Sequence, residues 1–355
     1  MRGYIKRIYK SIILVVVTAT IPIIGCQQEE IPFSKNENET FYVEHLDSKL
    51  RVQMRGNTLS DKIVLTVHGG PGGSSYYLSY LDEMKELEQD YAIAYWDQPM
   101  AGSSQGNNVG FKVDDIAEGL RKIIVTLKNR YGNSKKVILY SESWGGIIST
   151  AFLTKGNNQL LVNGWINSDG PHDFNLMDRE IVKMAIHVGS EEIAKGNNVE
   201  TWSPIIEYCE QHNPCCNTYE ESQKLNELLG DAEYLIDTVV QVEFNTIDIF
   251  WSEMLDNNAP FTASGFNLFS NNINGVEKDA WSKDYTKAVA GIKVPLLLLW
   301  GKYDFIVPPA VADSLLSNVQ SAKKQLVLLE RSGHNGFLQE PQLYWPAMKE
   351  FLNEL

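Results

Sequence analysis

A chain of 355 residues, 43% hydrophobic and 21% charged, has the composition of a folded globular protein and is too apolar for a disordered one. Its formal charge of −14 at pH 7 repels phosphate backbones, which argues against nucleic acid as a partner.

The chain opens on Arg2, Lys6, Arg7 and Lys10, followed by an apolar stretch from Ser11 to Ile24. At 14 residues the stretch is short for a membrane span, and a basic start ahead of it is the layout of a secretory signal. It closes on Ile23-Ile24-Gly25-Cys26, which resembles the bacterial lipobox, where cleavage precedes a lipid-modified cysteine. The expectation is a signal peptide over 1–25, lipidation at Cys26 and a polar tether over 26–40. The protein would then sit in the bacterial cell envelope, bound to a membrane through its lipid. An uncleaved anchor and plain secretion are the alternatives. Removal of 1–25 takes away four cationic and no acidic side chains, moving the formal charge from −14 to −18.

From Phe41 short β-prone runs alternate with amphipathic ones. "TFYVEHLD" and "KLRVQMRG" pattern as a hairpin, and "KIVLTV" (62–67) as a buried strand opening into His68-Gly69-Gly70-Pro71-Gly72-Gly73. "YLSYLDEMKELEQD" has helical spacing, "YAIAYWD" (91–97) is a strand, and "VDDIAEGLRKIIVTLKNRYG" is an amphipathic helix. Then come the strand "KVILYS", a helix through "GGIISTAFLTK" and the strand "VNGWIN" (162–167). The alternation resumes with "VPLLLLWG" (294–301), a helix in "PAVADSLLSNVQ", the strand "QLVLLE" (325–330) and a helix from Pro341. Strands alternating with helices predict a doubly wound, mostly parallel sheet covered on both faces.

Residues 172–285 interrupt this rhythm with a helix-rich interval bearing Trp202, Tyr208, Phe244, Phe250, Trp251, Phe261, Phe266, Phe269 and Trp281. Lying between strands of one sheet, it is an insertion, dividing the core into 41–171 and 286–355. An aromatic insertion over a sheet's carboxyl edge is a natural cap on a substrate pocket, although most of these rings are expected in its own core. Within it, "CEQHNPCC" allows a disulfide from Cys209 to Cys215 or Cys216, with one thiol left over. With His212 the cluster could hold zinc instead, but the spacing is not a common zinc pattern, and no metal is expected.

Side chains at the carboxyl ends of parallel strands line the ligand crevice, and Ser143 stands there in "VILYSESWGG", directly before a helix. A sharp strand-to-helix turn needs small flanking residues. Gly145 and Gly146 supply them on one side, and on the other Ser141 stands where G-x-S-x-G has glycine. The "HGGPGG" loop is where such an enzyme places a second oxyanion donor, so the backbone amides of Gly70 and Trp144 are the candidate pair. His68 at the head of that loop is expected to brace it. A serine needs a base held by an acid. "RSGHNGF" offers His334 and "LLWGKYDFIVPP" offers Asp304, each in a loop just past a strand, while Asp169 is a rival acid after "VNGWIN".

Together "HGGPGG", "WDQPMAGSS", "SESWGG", "GKYDFIVP" and "SGHNGF" resemble the proline iminopeptidase family of α/β-hydrolases, over roughly residues 41 to 355. The resemblance implies the α/β-hydrolase fold with a helical cap, a triad of Ser143, Asp304 and His334, no cofactor, and release of an N-terminal residue, often proline, from short peptides. Two departures stand out. The D-Q-R-G-x-G-x-S segment keeps Asp97, Gln98, Gly102 and Ser104 but has Pro99-Met100 for Arg-Gly. The family's cap motif W-x-x-W-E, whose glutamate pairs with the substrate's amino terminus, is reduced to "IFWSEM", leaving Glu253 as the candidate amine anchor or as part of a solvated face. The expected partner is therefore a small peptide, or a small carboxylic ester or other acyl compound. A non-catalytic binding module on the same fold is the rival of a different class.

Overall fold

The computed structural model describes residues 33–99, 101–106, 111–242 and 272–355. The expected signal, Cys26, Glu253 and the rings of Phe244, Phe250, Trp251, Phe261, Phe266 and Phe269 lie outside the described residues.

A hairpin of β1 (Glu37–His45) and β2 (Ser48–Gly56) forms one edge of the sheet. It is followed in space by β4 (Ala92–Trp96), β3 (Lys62–Val67), β6 (Lys136–Glu142), β7 (Gly164–Ser168), β8 (Leu296–Gly301) and β9 (Lys324–Leu329). The two-residue β5 (Gln105–Gly106) pairs with β2 off this path. From β4 onward every neighbour is parallel, while β1, β2 and β5 are antiparallel. β4, β7 and β8 are buried along their whole length and β3 beyond its first residue, as a sheet covered on both faces requires.

Helix α1 (Asp82–Asp90) is shorter than its sequence pattern. Leu81 is extended at φ −67° and ψ 135°, and the preceding Ser75–Tyr80 winds as a 3₁₀ turn capped by Ser74. Helix α2 (Val113–Tyr131) buries Ile116, Leu120, Ile123 and Leu127 at helical spacing. Its first turn carries Asp114 and Asp115 and its last Lys128 and Arg130, each sign suited to the helix dipole.

The sheet begins earlier than expected. Four residues assigned to the tether, Glu37 to Thr40, pair with Met54 to Gly56 and Gln53 in β2. Ahead of them, Ser34 and Thr58 exchange backbone and side-chain hydrogen bonds. "ENET" is polar because alternate residues of this edge strand face solvent, so hydrophobicity could not mark it.

Between β7 and β8 the cap contributes α4 (Phe174–Lys195), α5 (Val199–Gln211) and α6 (Tyr219–Leu229), then a helix over Asn272–Trp281. Its two ends meet: Asp173 and Asp284 form an antiparallel bridge, and Tyr285 N donates to His172 O at 3.3 Å. The cap has its own apolar core around Trp202, Ile181, Leu225 and Leu229. Here the expected disulfide from Cys209 is not found. Cys215 and Cys216 are bonded to each other, and Cys209 is a free thiol. Cys209 points into the cap core from α5, and burial pushes its thiol up to about 11, so it packs as a small hydrophobe.

Candidate active site

The turn at Ser143 follows from three local constraints. Ser143 is held at φ +47°, a left-handed conformation unusual for a residue with a side chain. Its own N–H donates to Ser168 O at 2.9 Å, and its carbonyl accepts from Gly146 N at 2.8 Å, so the strand passes straight into α3 (Gly145–Thr154). No side chain fits at the next positions. A Cβ on Gly145 would lie 1.9 Å from Val67 O, and one on Gly146 would lie 2.4 Å from Gly170 Cα. The serine in place of glycine at 141 is accommodated because its hydroxyl is used: Ser141 Oγ accepts from Trp165 Nε1 at 3.0 Å and bonds Ser149 Oγ at 2.6 Å.

The structure brings the three sequence-predicted residues together. Ser143 Oγ lies 2.9 Å from His334 Nε2, and His334 Nδ1 lies 2.8 Å from Asp304 Oδ2. The acid is itself oriented, since Asp304 Oδ1 accepts from the N–H groups of Ile306 and Val307, both at 2.8 Å. The rival Asp169 is turned elsewhere. Its Oδ1 accepts from Gly301 N at 3.0 Å and its Oδ2 from Ser168 Oγ at 3.1 Å, one layer behind the triad. Burial raises the Asp169 carboxyl well above its ordinary range, and the nearby Asp304 charge adds to this.

For His334, burial disfavours the imidazolium, but the Asp304 carboxylate outweighs it, with Asp169 and Glu233 adding, and the ring is pushed up to about 9. Glu142, just before the nucleophile, also faces the ring. It accepts from the Tyr77 hydroxyl, and burial pushes its carboxyl up.

His68 braces its loop, as the sequence suggests. Gln98 N–H donates to His68 Nε2 at 3.0 Å, which leaves the proton on Nδ1, donated to Gly69 O at 2.6 Å. Burial lowers its pKa, and with both ring nitrogens engaged it is no base.

Gln98 ties the head of the His68 loop to the Trp144 indole. Its Nε2 donates to His68 O at 2.7 Å and its Oε1 accepts from Trp144 Nε1 at 3.0 Å. Its neighbour Asp97 accepts from Ser74 Oγ, Ser75 N and Ser103 N and pairs with the buried Arg51 at 3.3 Å. Arg51 had no signal in the sequence, because a cation on a strand reads as solvent-facing.

A cleft of about 230 Å³ opens over Ser143, with Gly70 and Trp144 lining its floor. Gly70 is at φ +138°, where glycine alone sits without strain. The cap lines the roof with Phe174, Met177, Tyr219, Glu227, Glu277 and Trp281. Tyr219 Oη donates to Glu277 Oε2 at 2.6 Å and accepts from Gln223 Nε2 at 2.9 Å. Of the cap's aromatics, Trp281 therefore faces the cleft while Trp202 fills the cap core.

Known proteins resemble the chain in sequence and in fold. The family described as serine aminopeptidase, S33, matches residues 59–182. A proline iminopeptidase of Saccharolobus solfataricus is 26% identical over 308 residues, covering 83% of this chain and 86% of that protein. A proline iminopeptidase of Lactobacillus crispatus is 23% identical, covering 82% and 90%. Among solved structures, a proline iminopeptidase-related protein from Thermus thermophilus superposes with a TM-score of 0.60 at 19% identity, over 90% of this chain and 98% of that one. An esterase from Exiguobacterium antarcticum superposes with a TM-score of 0.58 at 19% identity, over 89% and 100%. With this strand order, a cap inserted after β7 and these structural likenesses, the chain is an α/β-hydrolase by fold.

Proposed function

We propose that the chain is a serine hydrolase that releases the N-terminal residue, proline foremost, from small peptides through an acyl-enzyme. The observation that carries this reading is the continuous line of Ser143, His334 and Asp304, closed at 2.9 and 2.8 Å beneath a cleft. Neutral His334 takes the hydroxyl proton as Ser143 Oγ attacks the acyl carbon, and Asp304 stabilises the imidazolium that forms. The amides of Gly70 and Trp144 receive the oxyanion. The imidazolium then protonates the leaving amine, and water activated by the same ring releases the acyl group. With the ring pushed up to about 9, the neutral form of His334 is the minor one at pH 7.

Two observations support the peptide substrate. The similar curated proteins are named proline iminopeptidases. The cleft lining also includes the half-buried Glu277, bonded to Tyr219, and the exposed Glu227, carboxylates suited to a ring bearing an ammonium. The esterase superposition favours a second reading, hydrolysis of small carboxylic esters. Turnover of a prolyl-arylamide beside a short-chain aryl ester separates them. The arylamide should be cleaved, and Glu277→Gln or Glu253→Gln should raise its KM by about tenfold while sparing the ester. An enzyme that turns over only the ester is no aminopeptidase.

We also propose that Cys26 carries lipid and holds the protein to a membrane of the bacterial cell envelope. The basic-then-apolar leader ending in "IIGC" supports this. Mass spectrometry of the membrane fraction should find diacylglycerol on Cys26; an unmodified cysteine there would end the idea.

A further inference from the structure

Glu233 has no part in the mechanism above, yet it touches it. It lies in the cap, in the 3₁₀ turn Ala232–Leu235, and is 2% exposed. Its Oε2 accepts the backbone N–H of His334 at 2.6 Å. The contact is close enough to dictate the neighbouring residue: a Cβ on Gly333 would lie 1.7 Å from that oxygen. The segment after Glu233 is laced to the same loop. Val240 N donates to Arg331 O at 2.9 Å, Gln339 Nε2 to Val240 O at 3.1 Å, and Arg331 Nε to Thr238 O at 3.4 Å. On the acid's side, Phe305, next to Asp304, is buried in the cap core against Trp202.

We propose that Glu233 is a positioning residue, a carboxylate supplied by the cap that clamps the backbone of His334 and fixes the imidazole between Ser143 and Asp304. The proposal rests on the serine-hydrolase reading. The clamp is a carboxyl oxygen accepting a backbone amide at short range. A carboxylate in this place is otherwise unfavourable, since burial and the Asp304 charge both raise its pKa. What favours its charge, besides the His334 amide and the adjacent Tyr234, is the imidazolium, so the clamp also biases the base toward its protonated form. The groups facing that ring are Asp304, Asp169, Glu233 and Glu142. Of these, Glu233 alone comes from the cap. Cap placement and base placement are thereby one variable.

The test uses the full chain with E233A, E233Q, G333A and the double variant E233A/G333A. Two readouts apply: the ring titration of His334 by nitrogen-15 NMR, and the rate at which a fluorophosphonate labels Ser143 across pH. E233A should slow labelling by about 10- to 100-fold even where the ring is neutral, since a displaced base costs on that order. E233Q keeps an acceptor for the amide and should recover most of that loss. In both variants the His334 midpoint should move to lower pH. G333A should slow labelling as E233A does, because its methyl group displaces the carboxylate, and should cost far less once Glu233 is gone. An E233A protein that labels at the unmodified rate with an unmoved midpoint overturns the clamp. So does a G333A penalty that is the same in both backgrounds, or an E233Q protein, whose shape is conserved, with unchanged titration. If the unmodified chain fails to label at Ser143, the serine-hydrolase reading falls, while the NMR midpoints still judge the clamp.

Discussion

The turns at Ser143 and Asp169 end neighbouring strands and share one backbone device. Each places a residue with a side chain at positive φ, +47° and +50°, and each passes its N–H to the next strand, to Ser168 O and Leu299 O. What differs is where the side chain goes. Ser143 is lifted into the cleft against His334, whereas the Asp169 carboxyl folds back onto Gly301 N. A strained turn at the carboxyl edge is thus a place for chemistry, not a proof of it; the hydrogen bonds each side chain finds decide its role.

The strongest way to break this contrast is Ser143→Ala, which should lower kcat by at least about 10⁴-fold and abolish fluorophosphonate labelling seen by intact mass. Next come the two carboxylates. Asp304→Asn should lower kcat by about 10³- to 10⁴-fold, because the amide misorients the imidazole. Asp169→Asn retains an oxygen for Gly301 N and should stay within about threefold of the parent, measured on the same substrate. Equal losses at both positions would erase the distinction drawn here.

The third prediction concerns pH. With His334 near 9, kcat/KM should climb about tenfold per pH unit from 7 and level off near 9. Stability should run the other way. The raised ring contributes about 3 kcal/mol that is fully present below about pH 6.5 and is lost as pH rises through about 9. Melting curves from pH 6 to 10 should show that decline, and an acid-limb midpoint near 6 in the kinetics would contradict the electrostatics. The smallest effect is conformational. Ser143→Gly removes the left-handed strain and should raise stability by about 1 kcal/mol in denaturant titration. Asp169→Gly should give no such gain, since it forfeits the bond to Gly301 N.

Much of this was legible in the sequence because each triad residue follows closely on the end of a strand, Ser143 and His334 beside glycines and Asp304 ahead of two prolines. Strand ends are visible as the point where an apolar run stops, and the parallel sheet brings those ends together. Asp304 could be preferred to Asp169 by its place in the chain, but only side-chain direction separates them. Glu233 was invisible for the same reason: it lies 101 residues from His334, on a short turn with no periodic pattern. The disulfide was misread because spacing says nothing of direction, and Cys209 faces inward from its helix. Glu37 to Thr40 escaped because a solvent-facing edge strand can be built from polar residues.

Gly146 and Gly170 stand back to back, and a methyl group on either would strike the other's Cα, at 2.4 and 2.7 Å. Neither position can therefore take a side chain without moving the backbone of the other. Chemical novelty in descendants of this chain has to arise overhead, at positions such as Gln223, Glu227 and Glu277, where a mutation can redraw the guest list without touching the reaction.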